Sequence, residues 1–136
     1  MSFAGLNYLA IVVAALTGFV FRGLYYRTLS AQWLAASGVR REEVQGHPWG
    51  LYATAIVANL VMAWILAGII GHLGPGQVTV RNGIISGAFV WLGFVVTTIA
   101  VNYGFGMRKP MLTVIDSGHW LGVLLIMGAV IGAFGV

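Results

Sequence analysis

Apolar residues fall along this chain in four long runs. The first covers Asn7 to about Tyr26 and is interrupted only by Arg22. The second runs from Trp49 to about Ile70, the third from about Asn82 to Tyr103, and the fourth from about Leu112 to Phe134. A bilayer-spanning helix needs about 20 apolar residues. The pattern therefore predicts an all-α, four-transmembrane-helix bundle, a single domain over 1–136 with spans at about 5–26, 49–70, 82–103 and 112–134. The punctuation agrees. His47-Pro48 opens the second run, where a proline suits a first helical turn. Gly71-His72-Leu73-Gly74-Pro75-Gly76 closes it, and Gly104, Gly106 and Pro110 separate the third run from the fourth. Nothing breaks the first run before Gly38. Its helix is expected to continue beyond the membrane through the amphipathic stretch Arg27 to Leu34, with Trp33 at the interface. No Lys or Arg precedes Arg22 and no small-residue cleavage site follows, so the first run reads as a retained helix rather than a signal peptide. Short connections make sequential helices antiparallel neighbours.

Composition removes the main alternatives. Of 136 residues, 60% are hydrophobic and 7% are charged, against about 25% charged in an ordinary soluble domain. So few charges cannot cover a water-facing surface, which excludes a soluble enzyme and a disordered chain. The pI near 10.0 rests on seven basic residues, too few for the stripe that nucleic acid requires. There is no cysteine, so disulfide and thiolate chemistry are absent.

The charges that exist are unevenly placed. Arg22, Arg27, Arg40, Arg41, Arg108 and Lys109 belong to one side of a four-span topology, and Arg81 alone to the other. The positive-inside rule puts the crowded side in the cytoplasm and both termini on the far side. Trp33, Trp49, Tyr25, Tyr26 and Tyr103 gather at the same boundary, as an aromatic belt would.

Small residues allow close helix approach in lipid, where apolar surface alone drives no association. The chain has 20 glycines. Ala14 and Gly18 stand four apart on the first helix and Gly83 and Gly87 on the third. Gly118 with Gly122, then Gly128 with Gly132, do so on the fourth. These eight are the candidate helix-packing residues, facing either the bundle interior or a partner. A match at an offset of 75 pairs Asn7, Gly18, Phe19 and Val20 with Asn82, Gly93, Phe94 and Val95, without extending to the second and fourth spans.

Ionisable residues inside a membrane are expensive and so mark candidate function. Asp116 is the only acid outside Glu42-Glu43. It reads either as an N-cap or first-turn acid of the fourth helix, or as the partner of Arg22 in an intramembrane pair. Arg22 can instead snorkel to the interface. His119 follows three residues after Asp116 on the same helical face and is a weak cofactor-binding candidate. His47 and His72 lie toward opposite surfaces, so no second histidine completes a metal or haem clamp. Asn7, Asn59 and Thr97/Thr98 read as polar glue between helices. No catalytic motif or nucleophile–base set appears; no catalytic residue, metal or cofactor is assigned.

Several segments together resemble one bacterial membrane family, domain of unknown function 1761. They are Asn7-Tyr8-Leu9-Ala10, Gly18-Phe19-Val20 and Gly23-Leu24-Tyr25-Tyr26 in the first helix, and Trp91-Leu92-Gly93-Phe94-Val95 with Asn102-Tyr103 in the third. Ile115-Asp116-Ser117-Gly118-His119 and Met127-Gly128-Ala129-Val130-Ile131-Gly132 carry the resemblance in the fourth. Arg22 departs from the pattern, where a small or apolar residue is expected. The resemblance implies a four-helix membrane protein, singles out Asp116 and supplies no activity.

The expected role is therefore that of a non-enzymatic module of the bacterial inner membrane, in contact with lipid. It would pack as a homo-oligomer or as an accessory subunit of a larger complex, without nucleic acid. The alternatives are a small oligomeric transporter or channel using Asp116, and a haem-, pigment- or quinone-associated subunit using His119.

Overall fold

The computed structural model describes residues 3–44, 46 and 48–135; His47 lies outside them. The described residues form helices and no strand: α1 (Tyr8–Thr28), α2 (Ser30–Ser37), α3 (Arg41–Val44), α4 (Trp49–Gly71), α5 (Val80–Val90), a π-helical turn (Trp91–Val95), α6 (Val96–Phe105) and α7 (Pro110–Phe134). Four stretches are long and apolar enough to cross a membrane: Tyr8–Thr28, Trp49–Gly71, Val80–Phe105 and Pro110–Phe134. The chain thus has the make-up of a multi-pass membrane protein.

Local chemistry sets the ends of these helices. Asn7 caps α1, its side-chain oxygen accepting the Ala10 N–H at 3.1 Å. This is the role of a polar residue just before a helix, not of glue between helices. Thr79 does the same for α5, accepting from the Asn82 N–H at 3.2 Å. Pro110 opens α7, where no N–H is missed. Gly38 ends α2 in the left-handed region (φ +73). Met107, between α6 and α7, is the one non-glycine residue with positive φ (+56) among the described residues.

The first helix does continue past its apolar run, but in two pieces. Leu29 leaves helical geometry (φ −100, ψ 19), and α2 sets off in a new direction. The bend lets Leu29, Trp33 and Ala36 pack with Leu112 and Ile115 at the start of α7. Lys109 Nζ donates to the Ala35 carbonyl at 2.9 Å and holds the same junction.

α7 is the central helix. It touches α1, α4, α5, the π turn and α6, while α4 packs mainly on α1. Half of its most apolar stretch is buried, against 6% for Val80–Phe105. Neighbours run antiparallel: Gly83 lies against Gly128 and Gly87 against Leu124, and Phe21 lies against Gly122 and Tyr25 against Gly118. Arg22, Arg27, the α2–α4 connection, Arg108 and Lys109 therefore share one end of the bundle.

The glycines make two kinds of contact. A β-carbon on Gly83 would run into the Gly128 carbonyl, one on Gly128 into the Gly83 carbonyl, and one on Gly132 into the Thr79 carbonyl. One on Gly87 would stand 2.5 Å from the Leu124 carbonyl oxygen. Here backbone meets backbone. Gly118, Gly122 and Gly18 instead receive side chains. Tyr25 and Phe21 of α1 sit over the first two, and Met127 and Val123 of α7 sit over the third. Ala14 is fully buried in the main core with Val123, Leu124 and Met127. The two ends of the 75-residue offset have different surroundings, since Gly18 is buried and Gly93 is exposed with nothing near it.

Candidate functional site

The polar residues of the bundle converge on one turn of α7, Ile115–His119. Asp116 and His119 lie three apart and so share a face. α1 runs antiparallel past them and brings Phe21, Arg22, Tyr25 and Tyr26 to the same depth. The Tyr26 hydroxyl donates to Asp116 Oδ1 at 2.6 Å, and the Tyr103 hydroxyl of α6 donates to Asp116 Oδ2 at 2.6 Å. The Tyr25 hydroxyl donates to the Ile115 carbonyl at 2.7 Å, and Trp91 Nε1 of the π turn donates to the Ser117 carbonyl at 2.7 Å. Three elements are thus tied to a single turn of α7. Asp116 is 9% exposed, and both of its oxygens accept from a phenol. Short bonds to a carboxylate are the stronger kind.

His119 is different. It is fully buried, and neither Nδ1 nor Nε2 has a hydrogen-bond partner. Aromatic rings surround it: Trp120 edge-on at 4.7 Å between centroids, Tyr26 at 4.9 Å, Tyr25 at 5.7 Å and Phe21 stacked at 6.2 Å.

Arg22 and Asp116 do not meet as an ion pair. The Arg22 guanidinium carbon lies over the Tyr26 ring, 4.9 Å from its centroid, a cation–π contact. Tyr26 stands between the two, because its hydroxyl is the group that reaches Asp116. The one salt bridge among the described residues is Arg40–Glu43, at 2.9 Å on the surface. The first-turn reading of Asp116 also gives way. α7 begins at Pro110, has no acid in its first turn, and holds Asp116 nearly two turns inside.

The remaining candidates lie apart from this cluster. Asn59 is buried on α4 with its amide nitrogen beside Gly18. Thr97 and Thr98 are exposed and bond back to the Gly93 and Phe94 carbonyls of their own helix at 3.0 and 2.5 Å. His72 is exposed at the opposite end of the bundle. No group of three metal-ligating side chains occurs among the described residues. Two shallow apolar hollows of about 390 Å³ lie elsewhere, one between α1 and α4 and one along α6. His119 borders neither.

Tyr25, Tyr26, Tyr103 and Trp91 are the members that sequence reasoning overlooked. The three tyrosines read as boundary belt residues, and Trp91 as one apolar position within the third span. Depth was the available signal, because an antiparallel first and fourth helix brings position 26 level with position 116.

Residues 9–132 match the family described as "Protein of unknown function (DUF1761)". The chain belongs to this family. No curated protein and no solved structure matches it. The matched segment of this DUF1761 protein contains the whole cluster, from Phe21 on α1 to Trp120 on α7, and leaves out residues 1–8 and 133–136. Chemically, the cluster combines a fixed carboxylate acceptor, two phenols committed to it, and a buried imidazole with unused hydrogen-bonding capacity.

Proposed function

We propose that this DUF1761 protein is a non-enzymatic multi-pass protein of the bacterial inner membrane. It works as an assembly of its own copies or as an accessory subunit of a larger complex. The division of surface between the third and fourth spans carries this reading. α5 gives its glycine face to α7, and 6% of the most apolar stretch of the third span is buried. The rest of its circumference presents Ile85, Phe89, Leu92, Phe94, Val101 and Phe105 outward. Lipid is as apolar as these side chains, so association there follows from shape, and ridges of large residues beside a widened turn supply shape. Gentle solubilisation followed by mass spectrometry of the intact assembly tests the reading. Oligomers or co-purifying subunits are expected, and a lone monomer overturns it.

The basic end of the bundle faces the cytoplasm in this reading, with both termini on the other side. Because the chain lacks cysteine, single probes report orientation cleanly. His72→Cys is expected to react with an impermeant maleimide from outside spheroplasts, and Glu42→Cys only after they are opened; both positions are exposed. The reverse pattern would invert the topology.

One observation favours a second reading, a small oligomeric transporter or channel. Asp116 is an acid held deep in the bundle between two tyrosines, the kind of group that membrane pathways use. Flux in proteoliposomes that Asp116→Asn abolishes would support it, and flux that ignores the substitution would discard it.

A further inference from the structure

Among the buried side-chain nitrogen and oxygen atoms of the described residues, only Nδ1 and Nε2 of His119 lack a partner. Buried polar groups are otherwise almost always satisfied, so an exception needs a reason. A neutral imidazole offers one N–H donor and one bare nitrogen acceptor. The bare nitrogen needs a donor, and two hydroxyl-bearing rings pack against the imidazole, Tyr26 at 4.9 Å and Tyr25 at 5.7 Å between centroids. Both have already given their proton elsewhere, to Asp116 Oδ1 at 2.6 Å and to the Ile115 carbonyl at 2.7 Å. Phe21 and Trp120 close the remaining sides; Phe21 has no polar atom, and the indole N–H of Trp120, whose ring stands edge-on, makes no hydrogen bond to the imidazole. The imidazole gains a donor when the Tyr26 hydroxyl lets go of Asp116. A proton on Asp116 Oδ1 brings this about, because that oxygen then donates to the phenol oxygen. The phenol proton is left free to turn to the imidazole.

We propose that Asp116, Tyr26 and His119 form a proton relay, in which a proton taken up by Asp116 passes through Tyr26 to His119, one helical turn further in. In the transfer the Asp116 O–H bond breaks and its proton joins the Tyr26 oxygen. The original Tyr26 O–H bond breaks and that proton joins the bare nitrogen of His119. Asp116 returns to carboxylate, Tyr26 is unchanged, and His119 becomes imidazolium. No electrons change hands, and water at the basic end supplies the proton.

The surrounding charged and titratable groups are few. α1 contributes Tyr25 and Arg22, the latter on the Tyr26 ring. α6 contributes Tyr103 on the other Asp116 oxygen, and Arg108 belongs to the connection that follows. α2 and the π turn carry no titratable side chain, α4 carries only Tyr52 and α5 only Arg81. Arg22 opposes a second positive charge at His119, so the transfer is reversible and the one proton divides between Asp116 and His119. The relay is independent of the assembly reading, because it needs one copy only, and it would name the coupling ion if the transport reading holds.

The test uses the full chain in lipid nanodiscs with ring-¹⁵N histidine, titrated with acid. His119→Gln assigns the His119 signals among the three histidines, and Asp116→Asn assigns the Asp116 carboxyl band in infrared difference spectra. In the wild type both are expected to change over one pH interval. Tyr26→Phe should abolish the change at His119 while Asp116 still titrates. Tyr103→Phe removes only the donor to the other carboxylate oxygen and should leave the His119 change in place. A His119 response that persists in Tyr26→Phe overturns the relay, as does a silent His119 in a wild type whose Asp116 titrates. If Tyr26→Phe loses its helical content, Asp116→Asn takes its place: the relay requires it to silence His119, and a surviving response overturns the proposal.

Discussion

Asp116 is held by two hydroxyls from two different helices, and each bond can be removed by one oxygen atom. Interhelical hydrogen bonds in membranes usually contribute well under 2 kcal/mol, because the separated helices also find partners. A carboxylate acceptor places these at the strong end. Tyr103→Phe is expected to lower stability by about 1–2 kcal/mol, read from unfolding in mixed micelles. Gly93→Ala, at an exposed site with nothing near the new methyl group, should stay within about 0.5 kcal/mol of the wild type. Part of this cluster was legible beforehand. Asp116 stood out as an isolated acid and His119 as its same-face neighbour. The partners were not legible, because a tyrosine near the membrane boundary is equally at home in an aromatic belt. Arg22 pointed to Asp116 by charge, yet its cation settles on a tyrosine face and leaves the carboxylate to phenols.

The π turn at Trp91–Val95 sets the phase of the third span. At about 100° per residue, an unbroken α-helix would carry Tyr103 about 180° away from the Gly83/Gly87 face that meets α7. A π turn takes up one extra residue, which brings Tyr103 back to about 80° from that face, the flank from which Trp91 also reaches α7. Removing the extra residue should therefore be harmless where the turn absorbs it. Deletion of Gly93 is expected to keep the Tyr103–Asp116 bond and most of the stability. Deletion of the exposed Val101 in regular α6 turns Tyr103 by about 100° and should destabilise at least as much as Tyr103→Phe. The same unfolding assay separates the two. Hydropathy could not reveal this turn, since every residue from Trp91 to Val96 is apolar or glycine and the run reads as one helix. The elbow at Leu29 escaped for a similar reason, as it carries neither glycine nor proline and is drawn over by packing on α7.

At the scale of the whole molecule, the four spans were legible because lipid imposes length and apolarity on any helix that crosses it. Their arrangement was not, because four equally apolar helices do not announce which is central. The glycine stripe of α7 was the clue: it marks a helix contacted on several sides. The contact between α1 and α7 crosses the whole bundle and joins the first span to the fourth. A chain cut at the exposed Gly74–Gly76 connection should therefore reassemble, the half with α1 and α4 co-purifying with the half carrying α5 to α7. Gly122→Leu, which fills the seat of Phe21, should prevent recovery of the pair.

The central place of α7 has a consequence for biosynthesis. Spans leave the ribosome in order, and the helix that organises the others is the last of the four to emerge. Until it arrives, the glycine face of α5 has only lipid against it, and Tyr26 and Tyr103 have no carboxylate to bind. Before then only α1 and α4 share a large contact, and the rest of the bundle closes when α7 arrives. Translation that stalls in the connection before Pro110 would leave three inserted helices with no common partner, a ready substrate for membrane quality-control proteases.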